Sequence, residues 1–233
     1  MKLRLMDIED AHAMDAALEV LRSEPVVVQL PTVFVLLAAP TAAGAAQLDR
    51  SKTRLAGKNY GTAIGSLDRF LAQADPSQMP LGFRNAADFE PMTGSFIRLR
   101  FRSPDFHSPV MRGGTHQWLL LDGVHRQLFR RIEDLFEGGA PDAIWGGRNY
   151  AAPLCTSCNV SGDPEGSITR LDSALAFAQD RGVPLVLTCR ERAAELGSYP
   201  ILGYARDGVA VHRDGPRLND FKRRIPDALR SWN

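Results

Sequence analysis

Excess charge of either sign is missing from this chain: 28 Lys and Arg face 27 Asp and Glu, for a net charge of +1. That balance excludes a global pull toward nucleic acid or an anionic membrane, so any basic site must be local. Cysteine is scarce, with only Cys155, Cys158 and Cys189. An odd number without framework spacing excludes a disulfide-stapled fold and favours a reducing compartment. Cys155 and Cys158 form a lone C-x-x-C with no second ligand pair at zinc spacing, so no metal site is expected. The sequence has no Walker A motif, no G-x-G-x-x-G and no G-x-S-x-G elbow. His107, His116, His125 and His212 have no obvious nucleophilic Ser or Cys partner in the sequence. A continuous membrane span is also lacking. The most apolar stretch, residues 25–46, holds Gln29, Pro31, Thr32 and Pro40, and its prolines would break a spanning helix. The expectation is a cytoplasmic protein with no membrane partner. Its oligomeric state is not legible.

What is present is ordinary globular material, 44% hydrophobic and 24% charged over 233 residues. Apolar periodicity predicts helices over residues 10–23, 125–136 and 171–181. A further helix is expected from an N-cap at Thr41 to Lys52. Fully apolar runs predict buried strands at 26–30, 33–38, 118–121 and 183–188. Residues 96–101 alternate apolar with Arg, the pattern of a half-exposed strand. Residues 63–70 begin as strand and turn into a loop or helix start. Residues 200–205 and 209–212 flank Arg206-Asp207-Gly208, an Asp-Gly hairpin. Helices interleaved with strands define a single α/β domain over residues 1–233, a twisted mixed sheet with flanking helices. Its core is expected at about residues 10–216, with a short C-terminal helix over 217–230.

Three places carry candidate chemistry. Lys52, Arg54 and Lys58 cluster at a helix end, where Arg can fork two phosphate oxygens and Lys offers a point charge. Helix C-termini attract such cations through the dipole as well. Residues 152–162 run from an apolar lead-in through Thr156, Ser157, Asn159 and Ser161 to Gly162. Small hydroxyls and an amide after a strand suit a polar ligand held close to the backbone. The last place is Ser198 ahead of the hairpin, with Arg213-Asp214-Gly215 after it.

In this order the pieces resemble the YrdC/TsaC family of threonylcarbamoyl-AMP synthases. The resemblance rests on Pro31-Thr32 at a strand end, Lys52-Thr53-Arg54 as K-x-R, Thr156-Ser157-Cys158-Asn159-Val160-Ser161-Gly162, and Ser198 with Arg213-Asp214-Gly215. It implies a YrdC/RibB-like sheet with a concave, locally basic cavity. It also implies ATP as substrate with accompanying Mg2+, and bicarbonate and an amino acid as co-substrates. The product would be a carbamoyl adenylate for tRNA threonylcarbamoyladenosine modification, with pyrophosphate released. Lys52 and Arg54 would be catalytic. Lys52, Arg54, Lys58, Asn159, Ser167 and Arg213 would bind ATP, and Thr32, Ser157 and Ser198 the amino acid. The alternative reading is a non-catalytic double-stranded RNA- or nucleotide-binding module of the same fold.

The acceptor side departs from that pattern. Phe34 stands where the family has a second threonine, and Leu121 where it has an Arg for the substrate carboxylate. Replacing such an Arg removes a charge-assisted pair worth about 1.5–3 kcal/mol. Arg98, Arg100 or Arg112 would have to supply the missing cation.

Overall fold

The computed structural model describes residues 2–53, 58–160 and 166–232. The elements in chain order are β1 (Arg4–Asp7), α1 (Ala13–Leu21), β2 (Val26–Gln29), β3 (Phe34–Ala38), α2 (Ala42–Lys52), β4 (Gly61–Ile64), α3 (Leu67–Leu71) and α4 (Ala86–Phe89). There follow β5 (Ser95–Arg100), β6 (Thr115–Leu120), α5 (Gly123–Phe136), β7 (Leu154–Ser157), α6 (Leu171–Asp180), β8 (Leu185–Thr188), β9 (Ile201–Ala205), β10 (Gly208–Arg213) and α7 (Leu218–Arg224). All ten strands form one mixed sheet, in the order β1-β8-β2-β3-β7-β4-β6-β5-β9-β10. It is a single α/β domain. Among the described residues no helix is long and apolar enough to cross a membrane.

The strands are apolar on both faces because helices pack on both. One face carries Phe34, Leu36, Ile97, Leu99, Trp118 and Leu120 beneath Leu48 of α2, Phe70 of α3 and Ala174 of α6. The other carries Val35, Leu37, Ala63, Phe96, Leu119 and Cys155, with Ala13, Ala17 and Leu21 of α1 and Leu128, Phe129 and Ile132 of α5. Period-two alternation sends neighbouring residues to opposite faces. α2 begins where expected, with Thr41 Oγ1 accepting the Gly44 amide at 3.1 Å. Gly44 lets this helix ride tightly on the chain before it, since a Cβ there would lie 2.1 Å from the Ala39 carbonyl oxygen.

Residues 63–70 divide as expected into the end of β4, a Ser66-capped turn and α3. Three expectations need correction. The core of the domain starts at β1, ahead of residue 10, because Arg4–Asp7 pairs in parallel with β8 at the sheet edge. The strand at 95–100 is buried along most of its length, with only Arg98 and Arg100 partly accessible. The polar stretch after Leu154 is no simple loop: Thr156 and Ser157 lie within β7, paired on one side with β3.

Candidate functional site

The face covered by α1 and α5 changes character along each central strand. Two residues on from Ala63, Leu119, Phe96 and Cys155 stand Gly61, Gln117, Arg98 and Ser157, and these four line a cavity of about 360 Å³. Val33 and Val35 form its apolar side. Gly61 keeps the floor open. A Cβ there would meet the Phe96 ring at 2.7 Å and the Gln117 carbonyl oxygen at 3.1 Å.

Five cations line this cavity: Lys52, Lys58, Arg98, Arg112 and Arg213. No carboxylate lines it among the described residues. Three of the cations are arginines gathered on the β5–β10 side. Arg98 donates through Nη2 to Gln117 Oε1 at 2.5 Å, while its buried Nε has no hydrogen-bond partner. Burial, and then repulsion from Arg112, lowers the Arg98 pKa. Arg213 donates from Nε and Nη2 to the Tyr199 carbonyl, at 3.0 and 2.5 Å, and its guanidinium lies over the Phe96 ring. Burial, with repulsion from Arg98 adding to it and Cys155 opposing it, brings its pKa down to about 10. A register shift in the β9–β10 pairing between Val211 and Arg213 leaves His212 as the extra residue, and such a bulge re-aims the side chain that follows it. Arg112 sits on a turn held by Asn59, whose Nδ2 donates to the carbonyls of Ser108 and Met111 at 2.6 and 3.1 Å.

Lys52 stands on the opposite wall. It is buried, and Nζ donates to the Ser157 carbonyl, to the Asn159 carbonyl at 2.7 Å and to Asn159 Oδ1 at 2.9 Å. Ser157 Oγ also donates to Asn159 Oδ1, at 2.8 Å. The ammonium therefore ties the end of α2 to the turn after β7 and orients Asn159. This makes Lys52 a positioning residue for Asn159.

The structure brings together Lys52, Lys58, Ser157, Asn159, Ser198 and Arg213 of the expected site. Arg213 stands with Arg98 rather than with Lys52, so the expected ATP set is split between two walls. Ser167 does not line the cavity. Its hydroxyl lies 2.6 Å from that of Ser198, in a neighbouring groove. Thr32 is buried outside the cavity, beside the Tyr199 phenol, with neither hydroxyl in good hydrogen-bonding geometry. Arg54, Ser161 and Gly162 lie outside the described residues. Phe34 points into the core on the far face, so Val33 and Val35, not Phe34, set the polarity of this wall. Leu121 packs under α1 and α5, away from the cavity, which Arg98 and Arg112 line instead.

Cys155 and Cys158 are free, buried thiols. Burial pushes both up to about 12, so neither is a nucleophile or a ready ligand. Gln117 and Asn59 carried no sequence signal of their own. Period-two counting from Arg98 and its partner strand would have found Gln117.

These features define a class: an α/β protein with a cation-lined cavity on one face of a twisted mixed sheet. No family model and no curated sequence matches the chain. Solved structures do. P. abyssi Sua5 complexed with L-threonine aligns with a TM-score of 0.69 and 15% identity, over 97% of this chain and 62% of that one. E. coli YciO aligns with a TM-score of 0.58 and 13% identity, over 92% and 95%. The Streptococcus mutans protein smu.1377c aligns with a TM-score of 0.64 and 13% identity, over 100% and 97%. The chain has the YrdC/Sua5 fold, and it spans less than two thirds of the Sua5 chain.

Proposed function

We propose that the cavity binds ATP together with a carboxylate-bearing acceptor and forms a carbamoyl adenylate of the threonylcarbamoyl-AMP type. The observation that carries this reading is the grouping of five cations, without a lining carboxylate, in a cavity of small-molecule size. Like charges gathered in one cavity repel one another, and an anionic ligand relieves that repulsion. The sheet order separates the β7 wall from β5 by three strand steps, about 14 Å at the usual spacing. Two anionic groups can therefore be held apart. Lys52, Lys58 and Asn159, with Arg54 beside them in sequence, would hold phosphates. Arg98 and Arg112 would hold the acceptor carboxylate.

The acceptor amine and bicarbonate condense to a carbamate with loss of water. A carbamate oxygen then attacks the α-phosphorus, and pyrophosphate leaves with the electron pair of the broken P–O bond. The chain supplies positioning and charge stabilisation, with no protein nucleophile. Mg2+ would arrive on the triphosphate, since no carboxylate among the described lining residues could hold it as a resident ion. The product would feed tRNA modification. Hydroxyl recognition would fall to Thr156, Ser157 and Ser198, with no buried threonine pair of the family pattern, so threonine would be weakly preferred over other small amino acids.

Calorimetry with ATP, followed by pyrophosphate release with bicarbonate and a panel of amino acids, tests this reading. The expected result is saturable ATP binding and release that needs both co-substrates. Absence of both would overturn it. Tight binding of duplex RNA with a steep salt dependence would favour the non-catalytic alternative instead.

A further inference from the structure

A second cluster lies away from the cavity, where the first turn of α5 meets the segment after β8. His125, Cys189 and Glu191 each bring a ligand atom to within 4.8 Å of the others. It is the one such group of metal-ligating side chains among the described residues. His125 and Cys189 are buried and Glu191 is exposed, so the group is anchored from within and open to solvent on one side.

His125 has the supporting contact a metal ligand needs. His125 Nε2 lies 2.9 Å from the Gln29 carbonyl oxygen. A carbonyl only accepts, so Nε2 carries the proton and Nδ1 keeps the lone pair. That is the second-shell arrangement that fixes a ligating imidazole. A divalent cation at this place would be attracted by the Glu191 carboxylate and would replace the Cys189 thiol proton.

We infer that His125, Cys189 and Glu191 form a site for a thiophilic divalent cation such as Zn2+, with three protein ligands and one position left for water. One nitrogen, one sulfur and one carboxylate oxygen suit that ion and suit neither Mg2+ nor Ca2+. Binding forms a metal–sulfur bond and releases one proton from Cys189 to solvent. It also pins the segment that runs on to Ser198, which is already tied to Pro31 and Thr32 through the Ala193 and Gly197 amides. The site is separate from the nucleotide cavity and does not depend on what that cavity binds.

Co2+ titration of chelator-treated full-length protein tests this inference. One Co2+ per chain should bind and produce a sulfur-to-cobalt charge-transfer band in the near ultraviolet. The Cys189→Ser variant should lose that band, and a double Cys155→Ser/Cys158→Ser variant should keep it. Glu191→Gln is exposed and should fold normally while binding at least about tenfold more weakly. No near-ultraviolet band at millimolar Co2+, or a band that survives in Cys189→Ser, overturns the site. If Cys189→Ser does not fold by circular dichroism, the Glu191→Gln titration decides: affinity unchanged from the parent overturns the site as well.

Discussion

Two ends of one sheet face are built from the same strands and behave oppositely. At one end Ala63 and Leu119 lie in a core closed by α1 and α5, while Phe96 and Cys155 belong to that core and also border the cavity. Two residues along, Gly61, Arg98, Gln117 and Ser157 line the open cavity. The same strands run through both ends, so the difference lies in which end a helix covers. Where α1 and α5 seal the face, burial selects apolar side chains. Where they do not, the same inward-pointing positions can carry charge. A cavity in this fold is a core left unfinished on one side.

The hardest way to break that contrast is to put the open end's chemistry into the closed end. Leu119→Arg would bury an unpaired guanidinium under α1 and α5, and the chain should lose more than about 4 kcal/mol and fail to fold. Circular dichroism of the purified variant checks this, and a native spectrum with an unchanged melting point would contradict it. Gly61→Val attacks the floor of the open end. It should cost about 1–3 kcal/mol through crowding against Phe96 and Gln117, and abolish ATP binding by filling the cavity. Retained affinity would show that the ligand sits elsewhere.

Arg98→Leu makes the open end resemble the closed one. Loss of a charge-assisted contact should weaken acceptor binding about ten- to hundredfold. The melting point should hold or rise, because a desolvated cation beside Arg112 and Arg213 has been removed. A fall in stability with no change in binding would mean that Arg98 is structural.

The smallest expected effect concerns the closed end. Glu133 of α5 is buried there and accepts the Gly65 and Ser66 amides at 2.7 and 3.1 Å. Burial lifts its carboxyl to about 7 despite those bonds. The folded state thus holds a proton that the unfolded chain releases nearer pH 4.5. Stability from this group is full below that lower value and is lost as pH rises through about 7. Chemical denaturation from pH 5 to 8 should show the decline, and Glu133→Gln should flatten it. Parallel curves for the two proteins would remove Glu133 as the cause.

The sequence made the long elements readable because their apolar periods were strong. Thr41 marked the start of α2, and Arg206-Asp207-Gly208 marked the hairpin. β1 escaped notice because four residues with an Arg and an Asp, at a sheet edge, carry almost no periodic signal. Of the cavity lining, Lys52, Lys58, Ser157, Asn159, Ser198 and Arg213 are legible through the order and spacing of their motifs. Thr32 and Phe34 were misplaced because a one-dimensional match does not show which face of a strand a residue takes. The pairing of His125 with Cys189 was invisible for a related reason: 63 residues of intervening chain separate two groups that only the β8–α5 geometry brings together.

The edge strand β1 also bears on how the protein is made. Arg4–Asp7 and the central strand β2 both take their parallel partner from Leu185–Thr188. Neither can find that partner until Leu185–Thr188 has left the ribosome. Such distant contacts slow folding and leave strand edges unpaired meanwhile. Synthesis from the N-terminus therefore leaves this flank of the sheet incomplete, and open to misassembly, until β8 arrives.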